Sequence, residues 1–516
     1  MARFITGAQA ADLIKNGSTV AVGGFVGFAV PEEILKAMEE KFLAYGSPNN
    51  LHAVWCAGIG DRADRGMNHF GHEGMVSKIY AGHIGLAPKL GRLVAEDKVE
   101  CFIVPQGVVV HVMRASAGGK PGVLTHVGLK TYADPRVEGC RANSVTKGEV
   151  VELVNMGGKE WLFYKSLAPD VAIVRGTTAD TRGNIAMEKE AVFLEQISMA
   201  SAAKNNGGIV IAQVERVTEH GTLNPQRVKL PGVMVDYVVE ASPENHCQSF
   251  MSPGYNPALS GEIRVPLASL PAMPLNERKI CARRAALELT AGALVNLGIG
   301  VSEGVADIVA EEGVADQITL TIESGTIAGI PTGGLGIGGS TNPDSIVDQG
   351  YQFDFYDGGG VDIAYLGLAE ADRQGNLNVS KFGGRVVGPG GFINISQNAK
   401  AVIYCGTFTA GGLRTHVADG RLYIDVEGRS RKFVNQVEQI TFSGEYAVSV
   451  GQKVMFITER AVFILRKEGM VLTEIAPGMD LQKDILAQMN FVPIIDVNLR
   501  EMDACIFSEQ SMGLKI

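Results

Sequence analysis

DVAIVRGTTADTRGNIA, residues 170–186, returns as DIAYLGLAEADRQGNLN at 362–378. Asp170/Asp362, Asp180/Asp372, Gly183/Gly375 and Asn184/Asn376 stand at identical offsets in the two copies. Each copy opens on a short apolar run of strand character and closes on a polar, glycine-containing turn. A second pair, VAVGGFVG (20–27) and VNLGIGVS (295–302), puts a strand and a glycine turn at the opening of each half. Two tandem domains of one α/β fold explain the repetition most simply.

Further apolar runs fit the same plan. ECFIVPQG (100–107), GGIVIAQV (207–214), ITLTIESG (318–325) and KAVIYCGTF (400–408) read as strands, and PEEILKAMEEKFLAYG (31–46) reads as a helix with proline in its first turn. Continuous apolar strands separated by helices predict mainly parallel sheets covered on both faces. From about residue 420 the pattern changes to short antiparallel strands, followed by a helix at DLQKDILAQM (480–489). Residues 253–274 hold five of the twenty prolines. The expected division is therefore 1–252, a linker at 253–276, and 277–516.

Composition narrows the function. A chain of 516 residues exceeds one hydrophobic core, and 46% hydrophobic with 20% charged residues describes an ordinary globular protein. The net charge of −10 and the lack of a basic stripe speak against a nucleic-acid partner. Seven scattered cysteines, without a CxxC pair or metal-ligand spacing to the nine histidines, predict free thiols in a reducing compartment and no metal. The N-terminus has no apolar signal core, and the longest uncharged run, 324–343, is Gly, Thr and Pro. A cytoplasmic protein without a membrane partner is expected. His69, His72 and His83 read as structural or surface residues.

Glu323 stands out. It follows a strand, precedes a glycine-rich run, and has no Lys, Arg or His in the next twenty residues. Ligands of open α/β sheets collect at the carboxyl ends of strands. One reading is a NAD-dependent dehydrogenase, with Gly298, Gly300 and Gly304 as the turn and Glu323 on a ribose. The spacing is GxGxxxG, one residue longer than the dinucleotide fingerprint.

ESG (323–325), NLGIG (296–300), VPQG (104–107) and GPGGFINIS (388–396) together resemble the family I coenzyme A transferases. DFYDGGGVDIAYLGLAEAD (354–372) and CGTFTAGG (405–412) are similar to the propionate or acetate CoA-transferase branch in particular. The resemblance covers essentially the whole chain, from RADRG (62–66) to TERAVF (458–463) and IAPGMDLQKDIL (475–486). It implies two CoA-transferase domains, a fold of the CoA-transferase/sugar-isomerase kind with an antiparallel region near the C-terminus, and Glu323 as nucleophile. That glutamate would carry a glutamyl-CoA thioester in a ping-pong exchange between acyl-CoA and a free acid. Gln106 and a backbone N–H of Gly390, with Gly391 next, would stabilise the oxyanion. Asn296, Gly298, Ile299 and Gly300 would contact coenzyme A, with Gly390 and Gly391, and Gly367 as a weaker candidate. Coenzyme A would be substrate, with no prosthetic group and no metal. Glu-Ser-Gly departs from the Glu-Asn-Gly of the 3-ketoacid branch and favours acetate, propionate, lactate or butyrate. The family implies a homo-oligomer, dimer or tetramer. A CoA-binding protein without turnover is the non-catalytic alternative. A glutamate of ordinary pKa would be ionised at pH 7 and need no general base.

Overall fold

The computed structural model describes residues 2–252, 254–266 and 273–516. Pro253 and residues 267–272 of the expected linker lie outside the described residues. The chain groups into two compact units, one of 1–265, 322–354 and 382–394, the other of 266–321, 355–381 and 395–516.

The first unit is built on an eight-stranded sheet in the order Arg3–Ile5, Tyr237–Glu240, Ile209–Val214, Val171–Arg175, Thr19–Val22, Leu51–Trp55, Val76–Ala81, Glu100–Ile103. Every neighbouring pair is parallel. Val171–Arg175 is buried at all five positions, as a strand covered on both faces must be. The helix Glu32–Tyr45 follows its sequence signals: Pro31 precedes it, two glutamates fill its first turn, and Gly46 ends it in the left-handed region. Strand order reverses between Val171–Arg175 and Thr19–Val22, so the carboxyl ends of these strands open a crevice of the kind that holds ligands.

In the second unit Thr319–Thr321, Leu294–Leu297, Ile363–Gly367, Ala401–Cys405 and Lys453–Ile457 form a parallel array. Ala461–Arg466 and Gly469–Ile475 extend it antiparallel, and Ile494–Glu501 closes the edge. The helix expected at 480–489 forms with π geometry over Leu481–Ile485 and 3₁₀ geometry over Leu486–Gln488 rather than as an α-helix. This irregular path buries Ile485 completely while its neighbours face outward. Among the described residues no helix is long and apolar enough to cross a membrane.

The internal repeat is visible in the register. Val20 pairs with Ala53 and Val171; Val295 pairs with Leu320 and Ile363. The repeated residues buckle each copy alike. The Asp170 carboxylate accepts the Thr19 N–H at 2.8 Å, and the Asp362 carboxylate accepts that of Leu294 at 2.8 Å. Asp180 accepts the backbone N–H groups of Arg182 and Asn184 and the Asn184 side chain, at 2.8–3.0 Å. Asp372 does the same with Gln374 and Asn376, all at 3.0 Å. Asn184 and Asn376 then accept the N–H of Gly232 and Gly444. Gly183 and Gly375, at φ 85° and 77°, make the turn. Ala21 pairs with Val54 as Asn296 pairs with Thr321. Two residues further on, Cys56 and Glu323 therefore hold the same place in the two copies.

Burial alone would raise the Asp180 carboxyl, but hydrogen bonds from Asn184, His220 and the backbone outweigh it and hold the group at about 2. A depressed carboxylate contributes stability that is present above its unfolded value of 3.8 and lost as pH falls through about 2. Asp180→Asn is expected to be less stable than the parent at pH 7 in urea unfolding, with the difference narrowing below pH 4.

Candidate active site

Glu323 sits not at the end of a strand but at the tip of a turn just past one. The Gly325 N–H closes on the Ile322 carbonyl at 3.1 Å, and the Ile322 N–H donates to Thr326 at 3.1 Å. Glu323 and Ser324 are the central pair of this β-turn. Gly325 has φ 113°, and a Cβ there would stand 2.2 Å from the Val347 carbonyl oxygen. Only glycine fits. Ser324, fully buried, donates to the Gly338 carbonyl at 2.6 Å.

The glycine-rich run folds back as a hairpin. Thr326–Ile327 pairs with Ser345–Ile346, and Ile330–Pro331 with Ser340–Thr341. Its glycines let it lie flat: a Cβ on Gly338 would meet the Phe25 ring at 2.6 Å, and one on Gly339 the Phe28 ring at 2.9 Å. Leu335 and Ile337 pack on the cluster of Phe25, Phe28, Ala57, Leu86, Val192 and Leu194. The hairpin is thus seated on the carboxyl edge of the eight-stranded sheet, covering the Glu323 turn with apolar surface.

Burial pushes the Glu323 carboxyl above the ordinary glutamate value of 4.5, opposed only by its own backbone N–H. The residue nonetheless keeps some accessible surface, so it lies deep yet reachable. The expectation of an unperturbed pKa does not hold at this position. A more basic carboxylate is a better nucleophile once ionised, and no counter-ion here quenches it.

Gln106 opens the helix Gln106–Ala117 rather than ending a strand. Its N–H donates to the Gly390 carbonyl at 3.0 Å, while its buried Nε2 has no hydrogen-bond partner. The Gly390 N–H is engaged with the Gly82 carbonyl at 3.0 Å. Gly107 must be glycine, because a Cβ would lie 2.5 Å from both Asn394 and Phe353. The structure thus brings Gln106, Gly390 and Gly391 to one edge. His83 beside them is half-buried, and desolvation, then the Arg62 charge, lowers it to about 4.

Of the expected coenzyme contacts, Gly390 and Gly391 belong to the first unit and Asn296, Gly298, Ile299, Gly300 and Gly367 to the second. Asn296 is fully buried and donates to the Thr321 carbonyl and the Tyr356 hydroxyl, both at 3.2 Å, bracing two strands. The Gly298 N–H donates to Tyr365 at 2.7 Å, and the Gly298 carbonyl accepts Ser302 Oγ. Ile299 is 59% exposed, and a Cβ on Gly367 would come within 3.5 Å of its carbonyl oxygen, so Ile299 and Gly367 share one surface. Gly300, at φ 99°, has open space around it but gives its N–H to the Glu303 carboxylate. That carboxylate occupies the amide a dinucleotide phosphate would use. Among the described residues no group of His, Cys, Asp and Glu is placed to hold a metal ion.

Sequence reasoning missed Gln349, Glu195 and Cys56. Gln349, fully buried, donates its Nε2–H to the Glu323 carbonyl at 3.2 Å and its backbone N–H to Leu194 at 3.1 Å. The repeat register could have pointed to Cys56 as the counterpart of Glu323. Nothing in the sequence singles out Glu195.

A family model described as coenzyme A transferase matches residues 5–241. The caffeate CoA-transferase of Acetobacterium woodii is 49% identical over 100% of this chain and 99% of its own length. The acetate CoA-transferase YdiF of Escherichia coli K12 is 42% identical over 98% of this chain and 95% of its own. A crystal structure of the acyl-CoA transferase YdiF from E. coli O157:H7, a thioester complex with CoA, superposes with a TM-score of 0.95 at 40% identity, covering 100% of this chain and 98% of that one.

Gly325→Ala forces a side chain into an occupied space at a left-handed backbone. It is expected to cost roughly 1–3 kcal/mol and to speed hydrogen exchange at Ile322 selectively, read by amide exchange with mass spectrometry.

Proposed function

Because the chain belongs to the coenzyme A transferase family, as full-length relatives at 42% and 49% identity establish, we propose that it exchanges coenzyme A between short-chain acyl-CoA and free carboxylic acids through Glu323. The observation that carries the reading is a desolvated, uncompensated carboxylate at the tip of a glycine-held turn. The thioester complex of the E. coli relative supports a covalent intermediate here as well.

In the proposed cycle the Glu323 carboxylate attacks the acyl-CoA carbonyl. The C–S bond breaks, leaving a mixed anhydride and coenzyme A thiolate. The thiolate attacks the glutamyl carbonyl, the anhydride C–O bond breaks, and the first acid leaves as its carboxylate. Glu323 now carries the thioester, and a second carboxylate reverses both steps. No proton need move, which suits a site without a histidine base. A carboxylate attacks a thioester poorly, so the barrier must fall through binding of the remote CoA chain and through donors at the oxyanion. Gln106 Nε2, buried and unpartnered, fits the donor role. Gly390 has its N–H engaged and so holds the loop, which leaves Gly391 as the better backbone donor. Gly298, Ile299, Gly300 and Gly367 remain our proposal for the pantetheine contact, with Asn296 bracing them from below. Coenzyme A acts as substrate rather than prosthetic group.

The Acetobacterium relative bears the name of an aromatic acid, the E. coli one that of acetate. Propionate, acetate and lactate remain our substrates of first choice, on Glu-Ser-Gly. The tandem division at 253–276, a cytoplasmic location and a homo-oligomer belong to the same proposal, the first supported by the paired aspartate buckles.

Intact-protein mass after mixing with propionyl-CoA is expected to show a CoA-sized adduct on the peptide containing Glu323, discharged by acetate. Glu323→Gln should show none, with turnover down by at least about 10³-fold. An adduct elsewhere, or none while CoA still binds, overturns the covalent reading. Gln106→Ala should lower kcat by about 10²–10³-fold with a smaller change in KM. Since only the carboxylate attacks, and burial raises its pKa, the acid limb of kcat/KM should fall with a midpoint above 4.5.

A further inference from the structure

Beside the Glu323 turn lies a second buried acid with no part in the chemistry above. Glu195 is 1% exposed, and its Oε1 has no hydrogen-bond partner. It precedes the helix Gln196–Asn205, and the residue before it, Leu194, is held at φ 58°. A leucine in the left-handed region needs its surroundings to keep it there. The peptide unit between the two residues is held from both sides. Its carbonyl, from Leu194, accepts the Gln349 N–H at 3.1 Å. Its N–H, from Glu195, is taken by the Glu195 carboxyl itself, which also meets the Cys56 thiol. Gln349 in turn donates its side chain to the Glu323 carbonyl. A hydrogen-bonded path therefore runs from Leu194 through Gln349 to the backbone of the reactive turn, with the Glu195 carboxyl and the Cys56 thiol facing each other at its start. Cys56 occupies in the first repeat the place that Glu323 occupies in the second, so the two equivalent positions lie at its two ends.

We propose that Glu195 is a positioning residue of the transferase site, fixing the Glu323 turn through Leu194 and Gln349. The inference rests on Glu323 as the reactive group. The groups that face Glu195 are the Cys56 thiol and the Asp348 carboxyl. Asp348 is itself raised by burial, opposed by the Gly350 N–H and by the charges of Arg114 and Lys229, with Asp354 adding to the rise. Burial, helped by the Asp348 charge, moves Glu195 up to about 8 against its own N–H and the Cys56 thiol, which favour the anion. At neutral pH it is therefore an uncharged acid. On ionising, it faces Asp348, the immediate neighbour of Gln349, and the repulsion falls on the hydrogen bond that carries the turn. The sign follows: the path is intact below about 8 and is lost as pH rises through it.

The test compares the parent, Glu195→Gln and Glu195→Ala, each checked for folding by near-ultraviolet circular dichroism. Formation of the Glu323 thioester from propionyl-CoA is followed by mass spectrometry across pH 6–9.5. A group titrating near 8 is about nine-tenths ionised one unit above it. The ratio of Gln variant to parent rates should therefore rise about tenfold between pH 7 and 9, whatever its value at pH 7. The Ala variant should lose kcat more than KM at pH 7, and the Gln variant should recover it. Amide exchange at Ile322 and Gly325, corrected for its intrinsic pH dependence, should quicken above pH 8 in the parent and not in the Gln variant. Identical alkaline profiles in parent and Gln variant, with the thioester formed normally, overturn the positioning role. Absence of a thioester in every protein at every pH overturns the transferase reading instead.

Discussion

A carboxyl withdrawn from water, with no cation facing it among the described residues, is the constraint on which the candidate site depends. Such a group costs several kcal/mol unless it is paired, neutralised or left partly reachable. Glu323 keeps the third option, and the remaining cost must be met by the fold around it. The turn is braced by hydrogen bonds at Ile322, Ser324 and Gly325 and by the Gln349 amide on the Glu323 carbonyl. None of these neutralises the carboxylate. They fix the backbone and leave the side chain basic, which is what an attacking oxygen needs and what a salt bridge would remove.

The brace is possible because the two halves repeat one another. In both copies an aspartate ties a strand start to its neighbour, and a second aspartate folds the loop after the adjoining strand into a closed buckle. Equivalent strands then end at equivalent heights. The first copy ends in a thiol at Cys56 and the second in a carboxylate at Glu323. Burial raises the thiol well above its usual range, so Cys56 is an uncharged, inert anchor. One place in the fold thus holds once a buried thiol and once the carboxylate proposed to react. The glycine-rich run acquires its reason in the same way. Phe25 and Phe28 supply a flat apolar seat, and Gly338 and Gly339 let the hairpin reach it.

Much of this was legible in the sequence, and the limits are specific. The parallel strands and the repeat could be read because apolar runs and four matched offsets are local signals, and Glu323 could be singled out because its surroundings are uncharged. Its placement at a turn tip was not legible, since Ile322 continues the strand pattern and only the closure onto Thr326 ends it. The helix starting at Gln106 was hidden by the proline before it, which reads equally as a strand end. The π and 3₁₀ turns at 481–488 carry an α-helical pattern that the burial of Ile485 overrides. Glu195 and Gln349 could not be found at all, because their importance lies in the contact of Leu194 with Gln349 across 155 positions of chain or, for Gln349 and Glu323, in a bond from side chain to backbone that leaves no spacing signature.

The two buried acids, Glu195 and Glu323, are linked through Leu194 and Gln349 yet lie in different surroundings. Both are raised by burial, yet their neighbourhoods differ. Glu195 lies against another acid and a thiol, with one oxygen unpartnered, and no water or cation is needed if it keeps its proton. Glu323 lies at a tip that retains accessible surface, where substrate or solvent can reach the anion. An environment that separates the titration of neighbouring acids separates their roles, which is the division proposed for Glu195 and Glu323. The fold therefore does not need to choose between a stable core and a reactive carboxylate. On the proposed reading Glu195 keeps the geometry, and Glu323, which retains accessible surface, is the acid a substrate reaches.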